Sequence, residues 1–260
     1  GVDENKEPLT HLFTLAEAAG KATGVVTSVP FNHATPAGHV AHNESRNNYQ
    51  ELAHEMIFKS TTDVIIGAGH PFYDADAQKL DKPDFKYISQ DDWAALMDGE
   101  VGADANGDGA ADPWQFVDNR EMFQQLGAGE APDRLLGIPR VASTLQVGRS
   151  GGDEAEFPFD TPLTIEVPRL AELTQTALNV LDNHENGFYL MIEAGAVDWA
   201  CHGNNGPRMI EEMVDMENTV QVIVDWVEAN SSWEETLLIV TADHETGYLT
   251  GPESGGNGEP

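Results

Sequence analysis

Two short apolar runs constrain this chain more than any other feature. Residues 188–192 and 236–240 are rich in aromatic and β-branched side chains, and each leads into a group of acids and imidazoles. Runs of this kind read as strands covered on both faces, as found in parallel sheets sandwiched by helices. Open sheets of that type bind ligands beyond the carboxyl ends of their strands. The first run ends in Glu193, with Asp198 and His202 close behind, and the second leads to Asp243, His244 and Gly247. Asp198 and His202 stand at i, i+4 and share one face of a helix. Carboxylates and imidazoles are good ligands for a divalent metal such as zinc. Each pair alone has an ordinary reading, as a turn or a solvated helix face. Two such clusters after two buried strands point to a site.

The rest of the chain alternates between helical and strand patterns. Helices are expected over 8–19, with Leu12, Leu15, Ala16 and Ala19 on one face, and over 47–59, 90–97, 167–183 and 208–228. Strands are expected over 22–29 and 63–66. Ser89 is placed to cap the third of these helices. The alternation argues for an α/β fold, a three-layer α/β/α sandwich with a mostly parallel central sheet in a single domain over 1–260. Residues 71–152 read as an irregular insert within it. Inside that insert Asp104, Asn106, Asp108 and Asp112 occupy positions 1, 3, 5 and 9 of a calcium-type loop with Gly109 at position 6. Position 12 is Gln115 rather than a bidentate Glu, so an acidic solvated turn competes with a calcium site.

At this point the chain resembles a family. The blocks holding Glu193, Asp198, Trp199 and His202, and Asp243, His244, Thr246 and Gly247, are similar to the metal-site blocks of alkaline phosphatases. A third block agrees: residues 18–28, then His33-Ala34-Thr35-Pro36-Ala37, Ala41-His42 and Ser45-Arg46. The resemblance implies two Zn2+ and one Mg2+. Asp198 and His202 match ligands of one zinc, Asp243 and His244 ligands of the other, and Glu193 and Thr35 ligands of the magnesium. Arg46 matches the guanidinium that clamps phosphate, whose planar fork suits phosphate oxygens. His33 and Trp199 match positions that tune the third metal and the phosphate surroundings, in a combination similar to the marine, cold-active bacterial type. The implied reaction is phosphomonoester hydrolysis through a phosphoserine, which water activated by zinc then hydrolyses.

Other expectations follow from the resemblance. No Asp-Ser-Ala motif of the family's nucleophile occurs in the sequence. The resemblance therefore implies an internal segment whose nucleophile, bridging aspartate and last zinc histidine lie outside these residues, and which is inactive alone. It also implies export to the periplasm or beyond, and allows a homodimer. A related phosphodiesterase or other hydrolase of the superfamily is the alternative enzyme, disfavoured by the Thr35 and Arg46 block. The alternative of another class is a non-catalytic, acidic calcium-binding interaction protein.

Composition bears on partners. The formal net charge of −32, from 45 acidic and 13 basic residues, argues against nucleic acid as a binding partner. Metals and Arg46 would have to reverse the field locally for an anionic substrate. Such acidity is also expected of a salt-adapted, halophilic protein. Cys201, the single cysteine, excludes an internal disulfide and reads as a small buried apolar residue more readily than as a metal ligand. No apolar run is long enough to span a membrane. His11, His70 and His184 read as surface or capping residues, and His42 as structural.

Overall fold

The computed structural model describes residues 1–99, 101–106, 108–152 and 155–246. Its centre is a five-stranded sheet in the order β3-β4-β2-β1-β5, formed by β1 (Ala22–Pro30), β2 (Val64–Ala68), β3 (Gln115–Val117), β4 (Leu135–Gly137) and β5 (Phe188–Glu193). Every paired neighbour runs parallel. Alternation along the strands builds two cores. Val25, Ile65 and Leu136 face a cluster with α1 (Leu12–Ala18), α2 (Ala34–Val40), α3 (Tyr49–Phe58) and α4 (Gln90–Asp98). Val26, Ile66 and Leu135 face a second cluster with α5 (Arg120–Leu126) and α6 (Leu170–Leu181). Helices thus cover both faces, which is why β1 is buried at all nine positions. The expected α/β sandwich with a parallel sheet is the fold.

Several local expectations need correction. The run 236–240 forms no strand: it has no regular secondary structure, and Leu237, Ile239 and Val240 are 83%, 71% and 55% exposed. A strand hidden on both faces needs a ladder beside it and helices over it. Among the described residues the sheet ends at β5, and this run has neither. The helix of the N-terminal region is shorter than expected and turned over. Phe13 is its buried residue, held edge-on to Tyr189 at 5.1 Å, while Leu12 and Leu15 are 62% and 57% exposed. One aromatic anchor outweighs the leucine stripe. Residues 71–152 are less irregular than their composition suggests, since they supply β3, β4, α4 and α5.

Two of the three histidines expected at the surface are interior. His11 is 8% exposed and stacks on His42 with centroids 4.1 Å apart. His70 is 5% exposed, sits 4.8 Å from the rings of both Tyr73 and Trp93, and lies 3.7 Å from Asp118. Burial lowers the affinity of His70 for a proton, which lets it pack in an aromatic cage.

The long helix α8 (Gly206–Asn230) carries charge into the interior. Glu211 Oε2 accepts from Arg149 at 2.7 Å and from Arg208 at 3.0 Å, with all three side chains almost wholly buried. Glu212 beside them is buried too. Desolvation, together with Asp215 and Glu211, pushes its carboxyl up to about 8 against the pull of Arg149 and Arg169.

Candidate active site

The candidate residues gather at the carboxyl ends of β1 and β5. Thr27 and Glu193 are register partners in the parallel ladder, so their side chains leave the sheet side by side. Thr27 Oγ1 accepts the Val29 N–H at 3.2 Å and donates to Glu193 Oε2 at 2.6 Å. Thr35, in the first turn of α2, stands near the same carboxyl. Burial raises the proton affinity of Glu193, as do Asp243 and Asp198, and the Thr27 and Thr35 hydroxyls oppose them. Gly195 follows where no side chain fits, because a Cβ there would stand 2.8 Å from Val29 and 2.9 Å from Glu193 Cδ. The chain can then turn at once into α7 (Gly195–His202), whose second residue donates its N–H to Ser28 Oγ at 3.0 Å.

Helix α7 presents Asp198 and His202 one turn apart, with His202 Nε2 3.4 Å from Asp198 Oδ1. The segment after α8 returns to the same carboxylate. His244 Nε2 lies 3.9 Å from Asp198 Oδ1, and Thr246 Oγ1 donates to that oxygen at 2.8 Å. Asp243 Oδ2 is 3.6 Å from His244 Nε2. The accepting Glu245 carbonyl, followed by the nearby acids Asp243 and Asp198, raises the proton affinity of His244. The two sequence clusters therefore meet, although they come from segments more than forty residues apart. The donor set, two carboxylates and two imidazoles, is the N/O chemistry zinc accepts. Among the described residues, however, no three His, Cys, Asp or Glu side chains are arranged to hold an ion. Asp198 is instead engaged by the Thr246 hydroxyl. Gly247, which closes the sequence motif, lies outside the described residues.

His33 stands at the N-cap of α2, with its ring edge-on to Trp199 at 5.4 Å and stacked over Tyr49 at 6.2 Å. Burial depresses the affinity of this imidazole for a proton to about 4, helped by the charges of Arg46 and Lys86 and opposed by Asp198. It is a neutral imidazole at pH 7. Arg46 is exposed in the loop between α2 and α3. Thr27, Tyr49, Tyr87 and Lys86 escaped the sequence reading. Their neighbours in the site are distant in the chain, and only the strand register links Thr27 to Glu193.

The acidic loop behaves differently. Asp104 accepts from the Asp108 and Gly109 amides, Asn106 from Asp108, and Asp112 from the Ala105 and Asn106 amides. Its oxygens serve the loop's own backbone. It is followed by the strand β3, not by a second helix. Cys201, in the last turn of α7, is buried, as its apolar reading anticipated.

The fold and site together are those of a parallel α/β protein with acids and imidazoles gathered at the carboxyl ends of its strands. The chain belongs to the alkaline phosphatase family, whose model matches residues 1–259. It is 27% identical over 264 residues to alkaline phosphatase 4 of Bacillus subtilis, covering all of this chain and 47% of that protein. In structure it is similar to the cold-active alkaline phosphatase of a psychrophilic Shewanella, with a TM-score of 0.62 and 29% identity. That match covers 88% of this chain and 46% of the other. The Thermus thermophilus alkaline phosphatase gives a TM-score of 0.61 at 27% identity, over 88% and 41% of the two chains. The chain thus spans about half the length of the relatives it matches.

Proposed function

We propose that this chain supplies the metal-binding and phosphate-binding side of a phosphomonoester hydrolase that works through a phosphoserine. In this reading Asp198 and His202 hold one zinc, Asp243 and His244 the other, and Glu193 with Thr35 holds a magnesium ion. When bound, two such metals supply Lewis-acid stabilisation of the attacking and leaving oxygens of an in-line displacement. Arg46 binds the transferring phosphoryl group in bidentate fashion. Neutral His33 and Trp199 wall the group's surroundings, and Thr27 keeps Glu193 oriented. The observation that carries the reading is the approach of His202 and His244 to one oxygen of Asp198, at 3.4 and 3.9 Å. Family membership supports the same chemistry.

The setting we propose is a saline, periplasmic or secreted one, on the strength of the net charge of −32 and the resemblance. We also propose a homodimer, with small phosphomonoesters as substrates and nucleic acid not a partner. Among the described residues no helix is long and apolar enough to cross a membrane.

Metal analysis tests the assignment. After equilibration with zinc, magnesium and calcium and removal of the excess, the protein should retain zinc. The D198N and H244A variants should each bind it at least about tenfold more weakly, the scale expected for losing a ligand or its partner. A protein that holds calcium alone, with zinc content indifferent to both substitutions, would refute it.

A further inference from the structure

The site has a second cation that the resemblance does not assign. Lys86 lies on an exposed segment before α4, tied to the site by rings and by one buried amide. Asn32 is fully buried next to His33 in sequence, and its Nδ2 donates to the Tyr49 carbonyl at 2.6 Å and the Tyr87 carbonyl at 2.7 Å. That side chain clamps the Lys86–Tyr87 segment to α3. The two tyrosine rings meet edge-on at 5.0 Å, and the Lys86 ammonium stands 4.9 Å from the centre of Tyr87 and 5.8 Å from that of Tyr49. Tyr49 in turn stacks on His33, and His33 meets Trp199. A continuous row of rings thus runs from Trp199 to an ammonium group. The ring faces hold that ammonium by cation–π attraction.

The charges around it point the same way. Lys86 stands beside the Tyr49 ring that stacks on His33, and Arg46 lies three residues before Tyr49 in the chain. Neither forms an ion pair among the described residues, unlike Arg120, Arg140, Arg149 and Arg208. The acid acting on Lys86 is Asp84, two residues away. In a chain with 13 basic and 45 acidic residues, two cations without an ion pair among the described residues, flanking Tyr49, form a local exception. Anions are drawn to such an exception in an otherwise repelling field.

We propose that Lys86 is a second anion-binding residue of the substrate site, selecting phosphomonoesters whose leaving group carries a further anionic group such as a carboxylate. This deepens the proposed function and rests on it. Arg46 takes the phosphoryl group and Lys86 the distal anion. The compact, exposed ammonium suits a group of variable position better than a fixed fork would.

Isothermal titration of the zinc- and magnesium-loaded protein tests this with non-hydrolysable probes. Methyl-, ethyl- and propylphosphonate are compared with phosphonoacetate, 3-phosphonopropionate and 4-phosphonobutyrate, each pair differing by one terminal carboxylate. At one chain length or more, the carboxylate should tighten binding by about fivefold, the upper range for a partly exposed ion pair. K86M should bring that ratio to about one, and K86R should keep most of it. Equal binding within every pair overturns the proposal while leaving the phosphatase reading intact. An advantage that survives in K86M, or that K86R loses as fully as K86M does, also overturns it. If the protein binds none of the phosphonates, both readings fall together.

Discussion

Thr27 illustrates how much the site owes to a single hydroxyl. It is fully buried, its oxygen accepts a backbone N–H, and its one proton is committed to Glu193. Replacing it with valine keeps the shape but removes the donor from a carboxyl that burial already disfavours as an anion. The proton affinity of Glu193 should rise further, visible as an upward-shifted titration of its labelled carboxyl carbon by NMR. Stability should fall by about 1–3 kcal/mol in denaturant melts, the range for orphaning a buried polar group. T27S should restore both. At this scale the sequence disclosed the acids and imidazoles, because ligand types at i, i+4 or in a dipeptide after an apolar run form a pattern. It did not disclose Thr27 or Lys86. A threonine inside a strand is ordinary, and its importance arises only from register with a residue 166 positions away. Lys86 acquires a role only through rings brought together by Asn32.

Among the elements, those with a complete local signature were legible. Helix α4 begins where Ser89 accepts the Asp92 N–H at 3.0 Å and ends at Gly99 with a positive φ of 83°. S89A should destabilise the protein by about 1 kcal/mol in thermal or denaturant unfolding. By contrast L15E on the exposed side of α1 should stay within about 0.5 kcal/mol of wild type, since no contact is lost. That pair of outcomes separates a helix held by its cap from one held by the single anchor Phe13. Where expectation failed, the missing information was tertiary. β3 and β4 have three residues each, too few to display a period. The run 236–240 has the composition of a buried strand, but burial is a property of neighbours. Arg208, Glu211 and Glu212 fall on the inner face of α8, where hydrophobic periodicity would place apolar residues. Arg208 and Arg149 both pair with Glu211, which makes that charge tolerable there, while Glu212 is buried with its proton affinity raised.

For the whole molecule two electrostatic effects follow. Glu212 has a folded-state value of about 8 against an ordinary 4.5, so the folded form retains a proton that the unfolded form releases. Its stabilising contribution is complete below the ordinary carboxylate range and disappears as pH rises through that window toward 8. E212Q should therefore show a flatter decline of stability between those limits, with a melting temperature above that of wild type at pH 8.5. Equal pH profiles for the two proteins would rule out Glu212 as the cause. The net charge of −32 imposes self-repulsion that salt screens, with a Debye length falling from about 30 Å at 0.01 M to about 3 Å at 1 M. The melting temperature should accordingly climb between those salt concentrations, and a flat or falling curve would count against salt adaptation.

The lone thiol gives the protein an intrinsic chemical reporter. Cys201 is a buried residue of the same helix that presents Asp198 and His202, and burial together with Asp198 disfavours its reactive thiolate. A thiol reagent reaches such a buried side chain through local opening. With no other cysteine in the sequence to contribute background, the labelling rate measures how often this part of the protein opens.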